Sequence, residues 1–573
     1  MGAARARDLT IAPHLTYSRG VRRTVVIAAI FGGGDAAAQP LWRDDTAVTI
    51  GATAEWTNKA KLADIDGDGW LDIVLANGAG YAMPGAAERS RVFRNLGAWS
   101  GPAPYFEEIT LQVLGGGMAH TRTIEIRDLD GDGDDDIVVG NTFGDPSRLI
   151  LRDAGTWIDV TATQWPSTPV PQIGDIDTGD VDGDGDLDLV VADWGGDLAA
   201  GAPVRLYRND GAATFVDATA DAMPAVAVAW SWELDLVDVD GDFDLDLLVA
   251  SKLGTGSFLF RNSGGVFSDD SAASLPQFTN NYEIEAMDID ADGDLDVATI
   301  NDGTNRRDHI FVADTGAFTD GTATRLAGAA NPPADDNVAA FVDADADGDA
   351  DLIVGSLAGP DRWLINDGAG AFAFVDGALP DATPGTLGIA IGDIDRDGRP
   401  DIVDAQGEAA FDDRVYRATD QIAVDVAPPR IGPVAVAGDL VRARVHDHKT
   451  PAVRLDFSAV TLRYRGAADG EASMTWYGEH LWRAALPAPG EYTIQVCATD
   501  AAGNEACSAE QSTTPMVDGG VDVMPDGSGG GDPGGCGCRG GGGGLGLLFV
   551  VLASLAIWVR STKRRSAISS AAA

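Results

Sequence analysis

Apolar runs of strand length punctuate the chain at regular intervals. DIVLAN, DIVVGN, DLVVAD and DLLVAS begin at Asp72, Asp136, Asp188 and Asp246. Short β-branched runs between acidic, glycine-rich segments read as buried strands rather than helices. A second set follows each of them: RVFRN at Arg91, RLILRD at Arg148, RLYRND at Arg205 and FLFRNS at Phe258. Weaker versions are HIFVAD at His309, RWLIND at Arg362 and RVYRAT at Arg414. Several lead through a glycine turn into one more strand, as in GAATFVDAT and GAGAFAFVDG. Each unit therefore reads as strand, acidic loop, strand, long loop, strand, turn, strand. Four antiparallel strands per repeat of 50 to 64 residues predict propeller blades. The fold class is all-β, with a seven-bladed propeller over residues 40–423.

The acidic loop is one nine-residue phrase written seven times, from DIDGDGWLD at Asp64 to DIDRDGRPD at Asp393. Aspartate occupies positions 1, 3, 5 and 9 throughout. The sets are Asp64, Asp66, Asp68 and Asp72; Asp128, Asp130, Asp132 and Asp136; Asp180, Asp182, Asp184 and Asp188; and Asp238, Asp240, Asp242 and Asp246. Then come Asp288, Asp290, Asp292 and Asp296; Asp343, Asp345, Asp347 and Asp351; and Asp393, Asp395, Asp397 and Asp401. Position 7 varies (Trp70, Asp134, Asp186, Asp244, Asp294, Asp349, Arg399), as expected if it offers only its backbone carbonyl. Position 6 is glycine in every copy but one, where Phe243 stands, and a sharp turn there suits glycine.

Two carboxylates about 5 Å apart repel by roughly 3 kcal/mol at an effective dielectric of 20. A divalent cation reverses that sign, and calcium takes six to eight oxygens at about 2.3–2.6 Å. An EF-hand would have glutamate at position 12 and a helix beyond; here that position is never glutamate and a strand follows. The expectation is calcium in up to seven loops, in a structural role.

These loops, with the LYRN-x-G-x-G-x-F pattern, resemble FG-GAP/VCBS repeats, the family that includes the integrin alpha-subunit propeller. The resemblance implies a calcium-binding propeller. The acidic loops lie on one face, and the segments entering each first strand lie on the other. Those entry segments carry Trp56, Asn58 and Lys59; His120 and Arg122; Trp230 and Trp232; Asn281, Tyr282 and Glu283; and Asp335, Asp336 and Asn337. They suit a protein or glycan ligand, with packing between blades as the competing reading of the tryptophans.

Residues 1–38 read as a signal peptide, with Arg22, Arg23, an apolar core and an Ala36-Ala37-Ala38 site. Residues 424–510 change to alternating strands, a β-sandwich whose ATDAAGN turn resembles immunoglobulin or fibronectin-type modules. Cys497 and Cys507 flank that turn and are expected to form a disulfide in an exported protein. His446 and His448 read as an exposed strand end rather than a metal site.

Residues 511–544 form a Gly/Pro/Asp-rich stalk containing Cys536 and Cys538. An apolar helix follows at 545–559 and a basic cytoplasmic tail at 560–573. Cysteine, apolar helix and arginine cluster in this order resemble the MYXO-CTERM sorting signals, which implies cleavage near Cys536 or Cys538 and surface attachment. A plain single-pass membrane anchor is the alternative.

Formal net charge is −49, from 40 basic and 89 acidic residues. Seven divalent cations leave the surface strongly acidic, which excludes nucleic acid as a partner. No HExxH, nucleophile elbow or phosphate loop is present. The reading is a non-enzymatic, cell-surface adhesion or recognition protein. A secreted carbohydrate-active enzyme and a structural envelope component are the alternatives.

Overall fold

The computed structural model describes residues 40–513, apart from 255, 302–306, 315, 381–384 and 453. The signal segment, Cys536, Cys538, the apolar helix and the basic tail lie outside the described residues. Among the described residues no helix is long and apolar enough to cross a membrane.

Residues 42–418 build seven four-stranded antiparallel sheets, a β-propeller-like repeat fold. The first runs Thr57–Ala63, Asp72–Asn77, Arg91–Asn95 and Phe106–Glu108. The next five repeat that order, while the seventh differs. Its own strands are Thr386–Gly392, Asp401–Gln406 and Arg414–Ala418, and Trp42–Asp44 from the start of the chain pairs as its fourth. The first strands of neighbouring sheets pack together in chain order, and that of the seventh packs on that of the first.

The apolar runs become the second strands, buried at every position from Asp72 to Asn77 and in their counterparts. Side chains such as Ile73, Leu75, Val138 and Leu248 fill the space between adjacent sheets, at about 1.5–3 kcal/mol for each large apolar group withdrawn from water. Every first strand carries a register shift at its entrance, as at Thr57/Lys59 and Ser231/Glu233. Such bulges re-aim the chain and increase local twist.

The RN signature acquires a purpose here. Nδ2 of Asn209 donates to Leu187 O in its own repeat and to Leu129 O in the preceding one, at 3.1 and 2.7 Å. Asn262 and Asn366 reach back likewise to Val181 and Ile289. Asn95 of the first repeat reaches Ile394 of the seventh at 2.8 Å. One amide thus stitches each such pair of neighbouring sheets.

From Arg430 to Ser512 two further sheets share a core that includes Val441, Leu462, Ile494 and Val496. Cys497 and Cys507 are direct cross-strand partners joined by a disulfide.

Candidate metal centres

Each acidic phrase spans the reversal between the first and second strands of its sheet. The position-1 carboxylate ends the first strand and accepts the N–H of position 6 at 2.8–3.2 Å in all seven loops. That closure needs position 6 in the left-handed region, and φ there runs from 68° at Phe243 to 116° at Gly185. Phe243 adopts it at a cost of about 1–2 kcal/mol that glycine escapes.

The position-9 aspartate opens the second strand, buried, and ties it to the third strand and to the acidic loop. Its Oδ1 accepts a backbone N–H from the third strand in every repeat, at 2.6–2.9 Å. In the first loop Oδ2 of Asp72 also takes the Ile65 N–H at 3.0 Å.

In the first four loops one carboxylate oxygen from each of positions 1, 3 and 9 falls within 4.8 Å of the other two. Position 5, expected to point inward, is not part of those clusters. Its carboxylate caps the position-7 N–H instead, as from Asp68 to Trp70 and from Asp184 to Asp186 at 2.9 and 3.1 Å. In the seventh loop Asp397 pairs with Arg399 at 3.1 Å. The position-7 side chains leave the cluster as well: Asp134 meets Arg152 at 2.7 Å, and Trp70 stacks beneath Arg396.

Clustered acids resist ionising together. Burial pushes the Asp72 and Asp188 carboxyls up to about 8, and Asp136, Asp246, Asp296, Asp343 and Asp393 to about 7, with neighbouring aspartates adding to the effect. The fifth loop makes the fit to a cation most explicit. Asp288 Oδ1, Asp290 Oδ1 and Asp296 Oδ2 are each buried without a hydrogen-bond partner. Unpaired buried carboxylate oxygens at positions 1, 3 and 9 match the donor set of a hard divalent ion.

Arginines contact several loops. The second arginine of the RN signature reaches the position-3 aspartate: Arg208 to Asp182 at 3.3 Å, Arg417 to Asp395 at 2.8 Å. Arg325, from outside that signature, reaches Asp290 at 2.7 Å. The sandwich supplies three more at position 1. Arg430 meets Asp288 at 3.2 Å, Arg444 meets Asp238 at 3.2 Å, and Arg483 pairs with Asp180. These contacts come from sequence too distant to be seen in the motif.

On the opposite face several of the entry-segment residues are enclosed. Arg122, Trp230, Asn281, Tyr282 and Glu283 are buried there rather than displayed. Tyr81, Trp230, Trp232 and Tyr282 gather around the Lys252 ammonium, which lies 4.1 Å from the two tyrosine rings. Trp194 stacks on Trp232, with Arg122 over its ring at 4.9 Å. Rings from the first, third, fourth and fifth repeats thus pack on one another, the competing reading of the tryptophans. His446 and His448 are also buried, with the His446 ring against those of His448 and His480, not at an exposed strand end. Burial beside Arg444 pushes His480 down to about 3, which keeps it neutral.

A cleft of about 360 Å³ opens on the loop side instead, between the first three repeats and the sandwich. Trp476, Trp482, Phe457 and Leu455 form its apolar wall, and Asp64 and Asp128 line it from the loops. That volume falls within the range of small-ligand sites.

Among family models, that of the FG-GAP-like repeat matches residues 64–139, 128–191, 180–249, 238–299, 288–354 and 343–403. No curated protein matches the chain. Solved structures similar to it include BBS1N in complex with ARL6DN, at 12% identity and TM-score 0.40, covering 68% of this chain and 100% of that one. Another is the BP39L lectin from Burkholderia pseudomallei, at 14% and 0.40, covering 62% and 94%. The biofilm matrix protein Bap1 from V. cholerae matches at 14% and 0.31, covering 78% of this chain and 64% of its own.

Proposed function

The chain belongs to the FG-GAP-like repeat family, and from that premise we propose that it is an exported, surface-anchored, calcium-binding seven-bladed propeller acting in adhesion to a protein or glycan ligand. The observation that carries the reading is the trio of unpaired, buried carboxylate oxygens on Asp288, Asp290 and Asp296. Calcium held there would neutralise aspartates that burial otherwise disfavours and brace the turn between two strands. Seven sheets, with the first stitched to the seventh through Asn95, support closure into seven blades. The strand Trp42–Asp44 then fastens the ring from the start of the chain.

The paired sheets after residue 430, with their cross-strand disulfide, are read as an immunoglobulin-like module. A disulfide suits an exported protein. The signal peptide, the MYXO-CTERM-like signal and the membrane helix are proposed from sequence alone. The ligand site is proposed in the cleft under Trp476 and Trp482, whose volume and apolar wall suit a ligand, with the opposite face, where the first strands are entered, as the alternative. No catalytic role is proposed.

Thermal unfolding of the full chain with and without a calcium chelator tests this. The expected result is a melting temperature lower by many degrees after chelation and restored by calcium. An unchanged curve sinks the structural role of calcium.

A further inference from the structure

The fourth acidic loop differs from its siblings at position 6 and in what its carboxylates meet. Its position 6 is Phe243, held at φ 68° where the other copies have glycine. That side chain is buried in an apolar cluster with Tyr477 and Leu481 of the sandwich. All three of its clustering carboxylates, Asp238, Asp240 and Asp246, also face a guanidinium. Arg261 Nη1 lies 2.9 Å from Asp246 and 3.3 Å from Asp240. Arg444 Nη2 donates to Asp238 O at 2.6 Å and lies 3.2 Å from its carboxylate. Both Arg444 and Asp238 are at least 95% buried.

We propose that this loop holds guanidinium groups in place of a metal ion and serves as the socket that fixes the sandwich to the propeller. This rests on the calcium reading of the other loops. A guanidinium is permanently charged, planar and able to serve two oxygens at once, so it can replace a cation among carboxylates. With two guanidinium groups on the cluster, a divalent ion would enter against their repulsion.

The surrounding contacts read as a dock. The Tyr477 hydroxyl donates to Phe243 O at 3.1 Å, and the Asp180 N–H donates to Tyr477 O at 2.8 Å. Arg444 Nη1 donates to Gly293 O of the fifth loop at 2.9 Å. Phenylalanine is kept despite the backbone strain because its ring, which glycine lacks, fills the sandwich contact. The third and fifth loops receive arginines on two of their three aspartates and keep the glycine. Among the described residues the substitution is complete only in the fourth.

Native mass spectrometry of the full chain in saturating calcium counts the bound ions. Asp238→Asn is expected to leave the count unchanged while lowering the melting temperature by several degrees, whereas Asp288→Asn removes one ion. Loss of one ion in Asp238→Asn, or seven ions on the unmodified chain, overturns the proposal. Should Asp238→Asn fail to fold, Phe243→Gly decides, since it restores the glycine and leaves every carboxylate in place. An unchanged count supports the guanidinium socket, and a gain of one ion overturns it. If no calcium binds anywhere on the unmodified chain, the calcium reading has failed. The socket is then judged by the melting temperature alone: Asp238→Asn and Arg444→Met must each lower it, and no loss overturns the socket too.

Discussion

The fourth and fifth acidic loops carry the same aspartates at positions 1, 3, 5 and 9, yet the fold treats them differently. At the fifth, Arg430 and Arg325 reach Asp288 and Asp290, yet those two aspartates and Asp296 each keep an unpaired buried oxygen, a donor set that could hold a cation. At the fourth, Arg261 and Arg444 meet the same three positions, and Phe243 turns the loop toward the sandwich. A motif fixes which atoms converge. What those atoms meet is decided by side chains elsewhere, one of them 206 residues away.

The largest expected effect that sharpens this contrast is on pH. Carboxyls whose folded value is raised from 3.8 to about 7 or 8, such as Asp296 and Asp72, bind more protons folded than unfolded. Their contribution is full below the unfolded value and is lost as pH rises through the folded one. The calcium-free protein should therefore lose several kcal/mol of stability between about pH 4 and pH 8. Calcium should flatten that slope, since it replaces the protons. Melting curves across this range, with and without calcium, check both parts; identical slopes would contradict cation binding in the loops.

Arg444→Met comes next. It leaves Asp238 buried without its partner, at a cost of about 3–5 kcal/mol, measurable by denaturant unfolding in calcium. A loss below about 1 kcal/mol would place the pair among surface ion pairs that contribute little.

Phe243→Gly is smaller and separates two explanations. Were Phe243 only a blemish in a calcium loop, glycine would relieve strain and stabilise the protein by about 1–2 kcal/mol. As a docking side chain, its loss costs about 3–5 kcal/mol, for a net destabilisation of about 1–4 kcal/mol. The sign of the change decides.

Smallest is Asn209→Ala, which removes the stitch to Leu129 and Leu187. One buried and one half-buried carbonyl lose their donor, for about 1–3 kcal/mol, with no change in calcium affinity at the fifth loop.

Much of this was legible in the sequence because it is local. Strand, acidic loop and strand follow from β-branched runs and from the glycine that position 6 requires. The four-strand sheet follows from repeating them. The role of Asn209 was not legible, since its second partner belongs to the preceding repeat. Nor was the fourth strand of the last sheet, because Trp42–Asp44 stands at the far end of the chain. The second task of the position-5 aspartates is not visible in the motif: a carboxylate two residues before a free backbone N–H caps it readily. Trp230 and Tyr282 look like binding residues in a list, but the entry segments of several repeats converge there and bury them.

The most direct test is an anomalous difference map from crystals of the protein grown in calcium. The account expects a peak bounded by the carboxylates of Asp288, Asp290 and Asp296 and none beside Asp238. A bare fifth loop in an otherwise ordered propeller, or a peak at Asp238, would contradict it.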